Sequence, residues 1–200
     1  MREKSRTTLR IGSGEMRGRT LLPPVGTATR PMTGLAKKSV FSIIQASGRL
    51  AGGVVLDLYC GTGTLGLEAI SCGAKRCYFA ERDRHAINRL KRNIEICSAE
   101  QAASVWAGNI ETRLADWLAE LESGSVDLAF VDPPYPSARR WNWDKITERI
   151  FQPLAGALAC EGMVILRLPD DIQPKKTLSQ LHLLRAKQYG QMTVAFYNLA

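Results

Sequence analysis

From residue 53 onward the chain alternates short aliphatic and β-branched runs with stretches of helical periodicity, the pattern of stacked βαβ units around a parallel sheet. It predicts strands at about 53–59, 76–81, 103–107, 126–131 and 162–168, and helices at about 64–73, 83–97, 110–122 and 143–158. Leu183–Tyr189 and Met192–Leu199, separated by Gly190-Gln191, read as two strands joined by a tight turn, which makes one edge of the sheet antiparallel. Upstream, Leu9–Ile11 and Thr20–Leu22 flank the glycine-rich stretch Gly12–Gly18 and suggest a small hairpin that Pro23-Pro24 ends. A helix is expected from about Gly34 to Gly48, with Val40, Phe41, Ile43 and Ile44 as its apolar face. The expected fold is α/β: a mostly parallel seven-stranded sheet with an antiparallel C-terminal strand, plus a small N-terminal β-hairpin extension.

Charge divides the chain further. Residues 1–50 hold ten Lys/Arg and two Asp/Glu, whereas residues 51–200 hold seventeen of each, so the whole net charge of +8 sits in the first quarter. Such asymmetry suggests a basic face for a polyanion, carried by residues 1–50, attached to a neutral domain at 51–200. A solvated tail that aids solubility is the plainer alternative. With 200 residues and 45% hydrophobic content the chain can bury one substantial core. Runs such as Val54–Leu58 are far shorter than the roughly 20 residues a membrane span needs, and no apolar stretch follows the basic N-terminus. A cytoplasmic protein with neither membrane nor secretory signal is expected. Its five cysteines are an odd number, and none forms a C-x-x-C pair or neighbours either histidine. Free thiols and no metal site follow.

The segment Val54-Val-Leu-Asp57-Leu-Tyr-Cys-Gly61-Thr-Gly63-Thr-Leu-Gly66 places a glycine loop between a predicted strand and a helix. Gly61-x-Gly63-x-x-Gly66 matches the dinucleotide fingerprint, and Glu81 ends the next strand where a ribose-binding acid belongs. A nucleotide oxidoreductase, a methyltransferase and a purely structural turn all remain open on that motif. Asp57 favours the second, since a carboxylate near the cofactor would repel a pyrophosphate but attract the sulfonium and ammonium of S-adenosyl-L-methionine. The D-x-x-x-G-x-G spacing resembles Rossmann-like methyltransferases. Asn109, after the third strand, is either an adenine contact or a helix N-cap.

At the end of the fourth predicted strand the chain reads Val131-Asp132-Pro133-Pro134-Tyr135. Strand carboxyl ends are where ligands bind in open α/β sheets. An exocyclic base amine is a poor nucleophile because its lone pair is delocalised into the ring. Acceptors at its two hydrogens favour the form whose lone pair is localised, and Asp132 and the Pro133 carbonyl can supply them. Pro134 stiffens the turn and Tyr135 offers a stacking face. These four residues are the candidate catalytic set; Asp57, Gly61, Gly63, Glu81 and Asn109 are the candidate cofactor set. Beyond them, Arg139-Arg140-Trp141-Asn142-Trp143 interleaves cations with aromatics, either as a stacking surface or as core packing.

Several segments together resemble the RsmD family, whose members methylate the 2-amino group of a guanine in small-subunit (16S) ribosomal RNA. They are Arg10-Ile-Gly-Ser-Gly-Glu-Met-Arg17-Gly-Arg19, Thr29-Arg30-Pro31-Met-Thr33, the loop from Asp57 through Ala69, and Val131–Tyr135. The resemblance covers nearly the whole chain in matching order, except that Gly34-Leu35 stands where members often carry an Asp-Arg pair. It implies a Rossmann-like SAM-dependent methyltransferase fold and a ribosomal RNA or assembled small-subunit partner, with Arg17, Arg19, Arg30, Lys37 and Lys38 holding RNA phosphates. A monomer is expected. The alternatives are a DNA adenine amine methyltransferase and a non-catalytic RNA-binding protein on the same fold.

Overall fold

The computed structural model describes residues 9–24 and 32–199. A two-stranded hairpin, β1 (Leu9–Arg10) and β2 (Thr20–Leu21), precedes helix α1 (Gly34–Ala46). Then β3 (Val54–Leu58), α2 (Thr64–Ser71), β4 (Arg76–Glu81), α3 (Arg84–Cys97), β5 (Ala103–Ala107), α4 (Ile110–Ala119) and β6 (Val126–Val131) alternate along the chain. After β6 come a short turn of helix α5 (Tyr135–Ala138), α6 (Trp143–Ile146), a π-helical turn (Thr147–Phe151) and α7 (Gln152–Ala157). The last strands are β7 (Leu158–Pro169), β8 (Thr177–Leu178), β9 (Leu181–Tyr189) and β10 (Met192–Leu199).

The main sheet has the order β5-β4-β3-β6-β7-β10-β9-β8. The first five strands in that order run parallel and β10 enters antiparallel between β7 and β9. This is the expected seven-stranded arrangement with a two-residue eighth strand added at one edge. Two boundaries depart from the sequence reading. The single helix expected at 143–158 is interrupted by the π turn, because Pro153 has no N–H to continue the ladder of the preceding turn. Strand β7 begins early, at Leu158, which pairs with Val126 before a register shift.

Both faces of the sheet are covered. Leu56, Leu58, Val131, Leu166 and Tyr197 pack on one side against Leu114, Ile150 and Leu154. Val55, Phe130, Ile165 and Phe196 pack on the other against Val40, Phe41 and Ile44 of α1 and Leu90 of α3. The apolar stripe read in α1 therefore faces the sheet, with Thr33 accepting from Ala36 N as its N-cap.

The N-terminal hairpin is fastened by polar contacts. Lys37 Nζ lies 2.5 Å from Glu68 of α2 and donates to the Arg10 carbonyl at 2.8 Å. Gly12 N donates to the same Glu68 carboxylate at 2.9 Å, and Met16 N donates to Ser71 Oγ at 2.9 Å. Lys37 is only 8% exposed, so it neutralises an internal carboxylate and does not reach a phosphate as the family resemblance implied. One turn into the helix, it is enclosed because the hairpin folds over it. Removing one partner of a buried pair leaves the other charge unsolvated, at a cost of about 3–5 kcal/mol. Glu68→Ala should therefore lower the unfolding free energy by roughly that amount in urea titration. A loss well under 1 kcal/mol would show that the pair does not fasten the extension.

Candidate active site

The parallel pairing of β3 with β6 decides where the chemistry lies. Leu58 is in register with Val131, and Asp132 N donates to the Leu58 carbonyl at 3.1 Å. The glycine loop after β3 and the Asp132–Tyr135 turn after β6 thus leave the same carboxyl edge from adjacent strands, where ligands bind in open α/β sheets.

On the β3 side, Asp57 is buried at 1% exposure, and its Oδ2 accepts from Gly66 N at 2.8 Å. That bond pins the first turn of α2 to the strand end. Its Oδ1 has no hydrogen-bond partner among the described residues. Burial, reinforced by Asp132 and Glu81 and opposed by the Gly66 bond, pushes the Asp57 carboxyl up to about 8. Two glycines shape the loop between them. Gly61 has φ +56° and open space where a Cβ would stand, whereas at Gly63, φ +81°, a Cβ would lie 2.3 Å from Leu90 Cδ1. Tyr59 also adopts φ +60°, unusual for a side chain of its size, and its hydroxyl is buried without a partner among the described residues.

Glu81 ends β4 beside this loop. It accepts from Gly61 N at 3.0 Å, Arg82 N at 2.8 Å and Asp83 N at 2.9 Å. Three of a carboxylate's roughly four acceptor positions are taken, and one is left toward the cradle. Asn109 caps α4, its Oδ1 accepting from Glu111 N at 3.1 Å. The N-cap reading holds, and an amide so fixed keeps its second lone pair.

On the β6 side the structure adds a residue that motif reading missed. Arg167 of β7 is 7% exposed, and its Nε lies 2.5 Å from Asp132 Oδ1. Its guanidinium stands 5.4 Å from the Tyr135 ring centroid, and that of Arg139 stands 5.9 Å from it. Arg139 is itself bound to Asp171 at 2.8 Å. Burial raises the Asp132 carboxyl above its ordinary value while Arg167 holds it down. The available signal was a lone arginine inside the otherwise apolar run Met163–Leu168. Pro134 caps α5, its carbonyl accepting from Ser137 N at 2.8 Å and Ala138 N at 3.0 Å, so the turn is rigid at both prolines.

The remaining basic candidates separate. Arg17 and Lys38 are exposed. Arg19 is partly engaged, donating to the Ile96 carbonyl at 2.7 Å and to Ser98 Oγ at 3.2 Å. Arg30 lies outside the described residues. Trp141 packs edge-on against Phe151 at 6.4 Å and Trp143 at 5.6 Å, which favours core packing over stacking for that ring. Among the described residues, no cluster of His, Cys, Asp and Glu could hold a metal, and no helix is long and apolar enough to cross a membrane.

The chain is similar to several known proteins. A family model described as Conserved hypothetical protein 95 matches residues 9–198. The "Putative rRNA methyltransferase YlbH" of Bacillus subtilis is 32% identical over 189 residues, covering 94% of this chain and 98% of that one. The "Ribosomal RNA small subunit methyltransferase D" of Haemophilus influenzae is 32% identical over 130 residues, 64% of each chain. Among solved structures, "Putative methyltransferase yhhF" of Escherichia coli superposes with a TM-score of 0.76 at 27% identity, over 96% of this chain and 98% of that one.

Because the folded-state pKa of Asp57 lies above its ordinary value of 3.8, the folded protein binds the extra proton. The resulting stability is fully present below about pH 4 and is lost as pH rises through about 8. Melting curves of the ligand-free protein should accordingly show Asp57→Asn declining less between pH 5 and 8 than the parent. Parallel declines would contradict the buried, protonatable carboxyl.

Proposed function

The chain belongs to the RsmD family, matched by the model for Conserved hypothetical protein 95, and we propose that it methylates the exocyclic 2-amino group of a guanine in small-subunit ribosomal RNA. The observation that carries this reading is the shared strand edge. A buried carboxylate with an unpartnered oxygen, Asp57, faces the same crevice as Asp132 and the Pro133-Pro134 turn.

The cradle fits S-adenosyl-L-methionine in charge and shape. Asp57 Oδ1 and Glu81 offer acceptor positions to a cation and a ribose hydroxyl, and Gly61 leaves the wall open where a side chain would intrude. A neutral or anionic ligand would leave the Asp57 carboxyl protonated, whereas a cation beside it favours the ionised form. When bound, S-adenosyl-L-methionine supplies a methyl group made electrophilic by its sulfonium. Asn109 stands at the end of the next loop, where its amide can pair with the adenine edge.

Asp132 and the Pro133 carbonyl accept the two hydrogens of the target amine, which localises its lone pair toward the donor. For this Asp132 must be an acceptor, hence ionised, and burial opposes that. Arg167 offsets the opposition at 2.5 Å and fixes the carboxylate's orientation. Tyr135 stacks on the extruded base, its own ring held by Arg167 and Arg139. No strong base is required, because a methylated ammonium is far more acidic than its parent amine, and Asp132 or solvent takes the proton. Rate comes mainly from positioning in a matched field.

Tritium transfer from labelled donor to small subunits, naked ribosomal RNA and duplex DNA tests the assignment. Label in RNA or subunits is expected; label in DNA alone would overturn it. In the same assay Asp132→Ala should reduce turnover at least 100-fold, on the order of a lost transition-state hydrogen bond, while donor affinity by calorimetry stays within about twofold. Near-normal turnover would remove Asp132 from its role.

A further inference from the structure

The neutral balance of residues 51–200 conceals a second basic segment. Residues 51–171 hold thirteen Lys/Arg against seventeen Asp/Glu, whereas residues 172–200 hold four Lys/Arg and no acid. Folding brings part of that segment beside the active site. Val194 of β10 pairs with Arg167 on one side and Lys187 on the other, so these three side chains share one face of the sheet. Lys187 is therefore two strand spacings, about 10 Å, from the arginine that holds Asp132. Phe196 pairs in the same way with Arg185, and Met192 with Tyr189, which lies nearest the carboxyl edge. Val194 and Phe196 are buried against the α1 side of the sheet, so this row faces α1.

The row is built and partly preset. Lys187 Nζ stands 5.1 Å from the Tyr189 ring centroid and donates to Ser39 Oγ at 3.3 Å. Ser39 in turn bonds the Tyr189 hydroxyl at 2.8 Å. Ser39 ties α1 to β9, and the exposed Lys38 is its neighbour on the helix. Arg185 and Lys187 are both exposed. No acidic side chain of β9 or β10 offsets them.

We propose that Arg185, Lys187 and Tyr189 of β9, with Lys38 of α1, hold the RNA strand flanking the target nucleotide. The cations take phosphates and Tyr189 offers a ring edge beside them; the occupant is single-stranded RNA leaving the crevice at Asp132. The place of Lys187 and Tyr189 toward the carboxyl edge that carries Asp132, and the excess of positive charge there, argue for a polyanion that extends beyond the base being modified. This inference rests on the RNA methyltransferase reading and deepens it, since the phosphate contacts implied by the family resemblance all lie within residues 1–50.

The test compares the double variant Arg185→Ala/Lys187→Ala with a control, Lys75→Ala/Lys91→Ala, which removes two exposed cations elsewhere. RNA binding is measured across a salt series, KM for RNA at fixed donor, and donor affinity by calorimetry. The β9 variant should raise KM for RNA several-fold, lower the salt slope by about 1.4, and leave kcat and donor affinity unchanged. The control should match the parent. Equal effects from both pairs, or an unchanged slope in the β9 variant, would overturn the proposal while leaving parental RNA methylation intact. If the parent methylates no RNA, the underlying reading fails and this one with it.

Discussion

The pairing of β3 with β6 is the constraint on which the site depends. Because Leu58 and Val131 are neighbours and Asp132 N is bonded to the Leu58 carbonyl, two turns separated by some seventy residues are forced into one crevice. Both turns bring carboxylates. Burial raises the proton affinity of Asp57 and Asp132, the charges of Asp132 and Glu81 raise that of Asp57 further, and among the described residues the protein supplies a close cation, Arg167, for Asp132. An edge of this kind lacks compensating positive charge, which the proposed cationic methyl donor would supply.

The hairpin and α1 are tied to that crevice by a second network. Asn93 of α3 is fully buried; its Oδ1 accepts from Leu22 N at 2.8 Å and its Nδ2 donates to the Thr62 carbonyl at 2.9 Å. One amide thus joins the end of the hairpin segment to the glycine loop. With Lys37 and Glu68 below it, the arrangement holds the basic surface of the extension at a fixed distance from the cofactor cradle. Satisfied buried networks of this sort specify one geometry, because each member is costly to leave unpaired.

Much of the fold was legible because its elements obey one rule each. The central strands read as short runs dominated by apolar residues, and the glycine loop and Pro-Pro turn mark strand ends by backbone chemistry that few other residues allow. What was not legible depends on contacts between distant segments. Lys37 and Lys38 are adjacent and chemically alike, yet one is buried against Glu68 and the other is exposed. Arg167 interrupts an apolar strand, and its pairing with Asp132 follows only once β7 lies beside β6. Asn109 could be settled as a cap only by seeing Glu111 N within reach. The basic character of β9 was hidden by averaging it with acidic segments that lie elsewhere in space.

A crystal structure with a stable, cationic analogue of the methyl donor examines the central claim most directly. The ligand's positive centre should lie between the Asp57–Gly61 loop and the Asp132-Pro133 turn, with its ribose at Glu81. An analogue seated elsewhere on the chain, or one whose charged end points away from Asp132, would contradict it.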